Sequence, residues 1–173
     1  MKTYYFDTDA LSWRYVDTID YRLGAPHTTV TERVNAIVQE VENDCYISEF
    51  TLLEWTSVLG KRVRSQQEGF AGFDYEWSVK IEQAIMQDIV AHRLNVYPSI
   101  PRVVERARLL VNLIGVGSKR ALKTIDAVHL IYAIELAQAK ECKVHFVSCD
   151  RQLLGVVHDF LPLGRFLQVC RPY

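Results

Sequence analysis

Four carboxylic acids stand where a chain ordinarily keeps apolar residues. Asp7 ends the aromatic run of "YYFDTDAL", Glu54 interrupts "LLEWTSVL", Asp126 interrupts "TIDAVHLIYAI", and Asp150 closely follows "KVHFVS". Taken singly, each has an ordinary explanation. Glu54 suits the solvent face of an amphipathic helix, and Asp126 suits a helix start with Thr124 as its cap. Taken together they form a costly set, because carboxylates gathered within a few ångströms raise one another's pKa, and a divalent cation removes that cost. Hard cations such as magnesium take oxygen ligands, so a few carboxylates on rigid elements are enough. A site of that kind polarises a phosphoryl oxygen and lowers the pKa of a bound water, which is what in-line hydrolysis of a phosphodiester requires.

Other ligand types give no comparable pattern. Cys45, Cys142, Cys149 and Cys170 form no C-x-x-C pair and read as small buried hydrophobes. His27, His92, His129, His145 and His158 lack metal-ligand spacing, and His129, inside an apolar helical pattern, reads as a satisfied core histidine.

The elements that must carry the acids follow from hydrophobic period. Residues 3–7 read as a strand, with Asp9 near the start of the helix that follows. Val30, Val34, Ile37, Val38 and Val41 give a helix over 30–42 with Thr29 available as a cap, and "CYIS" gives a second strand at 45–48. Helices follow over 49–64 and 75–92, joined by the glycine-containing loop "SQQEGFAGF". "NVYP" is a third strand stopped by proline. Helices over 101–114 and 124–140 precede the strand "KVHFVS" at 143–148, a helix near 150–160 and a last strand near 166–170. Short, nearly all-apolar strands alternating with helices describe a parallel sheet covered on both faces. In such sheets ligands bind at the carboxyl ends of the strands, where the strand order reverses. Asp7 and Asp150 both fall at such ends, and they share one crevice if their strands are neighbours.

Composition bounds the remaining classes. With 173 residues, 49% hydrophobic and 24% charged, the chain suits one compact domain, and the stretch near 61–92 reads as a helical hairpin inserted into it. The formal net charge of -1 excludes a global basic field for nonspecific nucleic-acid binding. No apolar run reaches the length of a membrane span, and the first residues lack the layout of a signal peptide, so the expectation is a cytoplasmic protein.

The segments "YYFDTDAL", "YISEFTLLEW", "LKTIDAVHLIYAIELA" and "FVSCDRQLL", in that order along the chain, resemble the four acidic motifs of PIN-domain ribonucleases, in particular the VapC-type toxins of bacterial toxin-antitoxin pairs. The resemblance implies an α/β/α sandwich with a short parallel sheet and a magnesium- or manganese-dependent endoribonuclease. It assigns Asp7, Glu54, Asp126 and Asp150 as the catalytic and metal-binding acids, and Ser148 as the hydroxyl residue beside the last of them. One departure is Asp9, where the family commonly has a small hydroxyl residue; it either adds an acid near the site or accepts a hydrogen bond at the helix start. Glu49 reads as a helix-start residue rather than a ligand.

Substrate RNA would meet basic residues around the acids. "GKRVR" supplies Lys61, Arg62 and Arg64, and "GSKRALK" supplies Lys119, Arg120 and Lys123, although exposed Lys and Arg are as often only a solvated face. Phe70, Phe73, Tyr75 and Trp77 offer either a docking surface for an antitoxin or a second copy of the chain, or a hairpin folded back on the core. The partners implied are therefore RNA, a cognate antitoxin protein and a homodimer mate. Two other functions stay open. One is a non-catalytic binding or scaffold module on the same fold. The other is a phosphatase of the haloacid-dehalogenase type, with Asp7 as nucleophile and Asp9 as general acid, for which no lysine-bearing motif is plausibly placed.

Overall fold

The aromatic run at the N-terminus becomes the central strand of a five-stranded parallel sheet. The structure is a computed structural model that describes residues 1–22, 29–65, 75–117, 121–160 and 162–172, with the side chains of 17–22, 61–65, 75 and 77 outside the description. The strands are β1 (Lys2–Phe6), β2 (Asn43–Ser48), β3 (Asn95–Tyr97), β4 (Val144–Val147) and β5 (Leu167–Cys170), in the spatial order β3-β2-β1-β4-β5. Every pairing is parallel, with Tyr4 opposite Cys45 on one side of β1 and Tyr5 opposite Phe146 on the other. The chain builds outward from β1 to β3 and then returns to the far side of β1, so the strand order reverses between β1 and β4.

Alternation along the strands divides the core in two. Tyr4, Phe6, Cys45, Ile47 and Val147 face one way and pack with Leu11, Val34, Trp55 and Ile81. These come from α1 (Thr8–Arg22), α2 (Thr29–Gln39), α3 (Glu49–Ser65) and α4 (Tyr75–Val90). Tyr5, Val144, Phe146 and Leu167 face the other way, against Leu110, Leu130 and Leu154 of α5 (Val103–Gly117), α6 (Thr124–Ala139) and α7 (Arg151–Asp159). The result is the three-layer α/β/α sandwich expected from the alternating elements. Each large apolar side chain fully buried this way contributes about 1.5–3 kcal/mol.

α6 is apolar on nearly every side because α5 and the sheet enclose it, with buried residues running from Ala127 to Ala137. α1 is held to α4 by a polar cluster: Asp88 accepts from Arg14 Nε at 3.1 Å, Tyr15 Oη at 2.6 Å and Arg93 Nε at 2.6 Å. No helix among the described residues is long and apolar enough to cross a membrane.

Two local expectations change. The N-cap of α6 is Lys123, with Thr124 already helical, so Thr124 is not the cap. Of the cysteines, Cys45 is buried as expected, whereas Cys142 is exposed, in the turn after α6. The loop "SQQEGFAGF" and the aromatic side chains from Phe70 to Trp77 lie outside the described residues.

Candidate active site

At the carboxyl ends of β1 and β4 lies a cavity of about 350 Å³ lined by Asp7, Thr8, Asp9, Glu54, Lys123, Asp126, His129 and Asp150. Asp7 extends the sheet by one bond, its N–H donating to Val147 O at 3.2 Å. The chain then turns directly into α1, and Asp7 Oδ1 accepts the Ala10 N–H at 2.8 Å. Asp7 is thereby the cap of α1, a role the sequence also allowed for Asp9. Asp9 instead sits exposed in the first turn and lines the cavity.

The end of β4 repeats this arrangement. Asp150 caps α7, with Oδ1 accepting from Gln152 N at 2.7 Å and Leu153 N at 3.1 Å. Buried Ser148 stands between the two strand ends: its Oγ accepts the Asp150 N–H at 3.0 Å, and its hydroxyl is near enough to Asp7 to favour the charged form of that carboxyl. Asp126 stands in the first turn of α6, so the N-termini of α1, α6 and α7, with their partial positive charge, frame the acids.

Glu54 does not take the solvent-face position that its helical pattern favours. It accepts a hydrogen bond from Thr8 Oγ1 on its Oε2, and the same oxygen lies 2.9 Å from His129 Nε2. His129 is the satisfied, buried histidine expected, at 2% exposure with a partner at each ring nitrogen, and it also lines the cavity. His129 and Thr8 are the lining residues that sequence reasoning missed. The available signal was the spacing of Asp126 and His129, three apart and so on one face of a helix.

The electrostatics are those of a crowded acidic site. Burial pushes the Asp7 carboxyl up to about 7 and Asp9 adds to the rise, against the pull of His129, Ser148 and the Ala10 N–H. Asp126 is raised by burial and by Asp150 and Glu54, while Lys123 and His129 oppose the shift. Burial, then the charges of Asp9 and Asp7, push the Cys149 thiol up to about 12. A set of carboxylates with one imidazole suits a hard divalent cation rather than a soft one. As the side chains stand, no three carboxylate, imidazole or thiolate groups among the described residues form a preassembled metal cage. Lys123 Nζ instead lies 3.5 Å from Asp150 Oδ2.

Of the remaining site residues read from the sequence, Glu49 opens α3, exposed, and is not part of the lining. The side chains of Lys61, Arg62 and Arg64, and all of Lys119 and Arg120, lie outside the described residues.

The sequence matches no protein-family profile and no curated protein. Among solved structures it is similar to a chain in the structure of VapBC-1 from nontypeable Haemophilus influenzae, with a TM-score of 0.55, 16% identity and 98% of each chain covered. At that identity the likeness is one of fold, and it agrees with the PIN-like α/β/α architecture from end to end.

Proposed function

We propose that the chain is a metal-dependent endoribonuclease, the toxin of a toxin-antitoxin pair. The observation that carries this reading is the convergence of Asp7, Glu54, Asp126 and Asp150, from four separate segments, on one cavity where the strand order reverses. These four acids would hold magnesium or manganese. When bound, such an ion lowers the pKa of a water and polarises a phosphoryl oxygen. Asp7 and Asp150, each capping a helix, keep their carboxyl groups oriented by backbone N–H donors, and Ser148 accepts the Asp150 N–H. Lys123 is a cation at the rim that can meet a substrate phosphate. The likeness in fold to VapBC-1 supports an antitoxin protein as partner, and a second copy of the chain completes the proposed assembly. Asp7→Asn and Asp126→Asn are expected to abolish magnesium-dependent RNA cleavage with an unchanged circular dichroism spectrum; full activity in both would refute the assignment.

Each rival has one favouring observation. A non-catalytic module is favoured by the lack of a preassembled metal cage among the described residues, and it requires that the native protein leave RNA intact. The phosphatase reading gains from Lys123 at the cavity. Hydrolysis of p-nitrophenyl phosphate that is lost in Asp9→Asn, without RNA cleavage, would favour it.

A further inference from the structure

A line of buried polar side chains runs from the core to Glu54. Ser48 and Thr51, both fully buried, bond each other reciprocally at the start of α3: Thr51 N donates to Ser48 Oγ at 3.0 Å, and Ser48 N donates to Thr51 Oγ1 at 3.2 Å. Tyr5 Oη, also fully buried, lies 3.0 Å from Ser48 Oγ and 3.1 Å from His129 Nδ1. The Tyr5 hydroxyl has two acceptors within reach, Ser48 Oγ and His129 Nδ1; when it donates to Nδ1, the neutral ring carries its own proton on Nε2. The other ring nitrogen, Nε2, then faces Glu54 Oε2 at 2.9 Å, with Thr8 Oγ1 donating to the same oxygen. Edge contacts with Tyr5 at 6.1 Å and Phe50 at 5.4 Å fix the plane of the imidazole.

Such a chain is costly unless every member is satisfied, and the apolar interior around it offers no water in exchange. It ends on the proposed ligand that lies furthest into its helix, beyond the first turn of α3. Asp7 and Asp150 are oriented by the backbone, whereas Glu54 has a long flexible side chain and neighbouring carboxylates that repel it. We propose that His129, anchored by Tyr5, is the positioning residue that holds Glu54 in the site. The proposal rests on the reading of the cavity as a metal-dependent nuclease site. Groups that orient metal ligands from behind typically change metal affinity or activity by about 10–100-fold when removed.

The test is manganese binding by calorimetry without RNA, alongside steady-state cleavage, in Tyr5→Phe, His129→Ala and His129→Gln. Tyr5→Phe keeps the ring and removes only the anchor; His129→Gln restores an N–H donor near Nε2. We expect manganese affinity to fall about 10-fold in Tyr5→Phe and up to about 100-fold in His129→Ala, with part of the loss recovered in His129→Gln. kcat should fall in the same order while KM for RNA stays within about twofold, because both side chains are buried behind Glu54. Folded variants with native manganese affinity and kcat would overturn the proposal. So would tighter manganese binding in His129→Ala, which would make His129 a competitor for Glu54. Activity that falls only with the folded fraction would reduce the chain to a structural role. A native protein that neither binds manganese nor cleaves RNA would remove the nuclease reading and this inference together.

Discussion

Asp7 illustrates the conflict between folding and function within one residue. It is 4% exposed, and its carboxyl is raised from the ordinary value of 3.8 to about 7 by burial. The folded chain therefore holds the Asp7 proton more tightly than the unfolded chain does. Below about pH 4 both states are protonated and nothing is lost; stability falls as pH rises toward 7, and the full cost, about 4 kcal/mol, is present above it. Asn at this position stays neutral while its Oδ1 can still accept from Ala10. In chelator, Asp7→Asn should thus be more stable than the native chain by about 4 kcal/mol at pH 8, and by less than half of that at pH 5. Urea unfolding at the two pH values measures it, and a difference that does not shrink in acid would contradict burial as the cause. The acid itself was legible in the sequence, as a charge at the end of an aromatic run. Its part as the cap of α1 was not, because "DTD" offers two equivalent cap candidates and only the path of the backbone chooses between them.

For single elements, the capping of α7 by Asp150 separates structural from chemical effects. Asp150→Ala removes the acceptor for two N–H groups and should cost about 1 kcal/mol in urea unfolding, whereas Asp150→Asn keeps an acceptor and should fall within a few tenths of the native value. Both should lose RNA cleavage under the proposed function. Cleavage that persists in Asp150→Asn would leave Asp150 with the cap alone. Most elements were readable because their periods are clean: β4 is apolar but for His145, and α6 is apolar on nearly every side. α1 was read only as the helix following Asp9. Its sequence, "TDALSWRYVDTIDYR", carries scattered charges, one of which, Arg14, finds its partners in Asn35 on α2 and Asp88 on α4, both far along the chain.

In the molecule as a whole, a cation binding only the folded state must stabilise it. Manganese at 100 times its dissociation constant should add about 2.7 kcal/mol, a rise in melting temperature of about 5–10 °C, and Asp126→Asn should abolish most of the rise. The increment should grow from pH 6 to pH 8, since the metal competes with the proton on Asp7. A melting temperature indifferent to manganese would count against the metal site.

The chain by itself determined the class of fold and the four acids. A parallel sheet buried on both faces demands apolar strands and amphipathic or apolar helices, and those demands are written locally in the order of residues. Three things were settled only in space. β1 lies beside β4, which places Asp7 and Asp150 at one crevice. Glu54 turns inward to Thr8 and His129. His129, which its apolar surroundings marked as an ordinary core residue, reaches that crevice through a bond to Tyr5, 124 positions earlier. Local patterns tell which face of an element is buried. They do not tell which element lies against it, and the partners of a buried polar group are set by that packing.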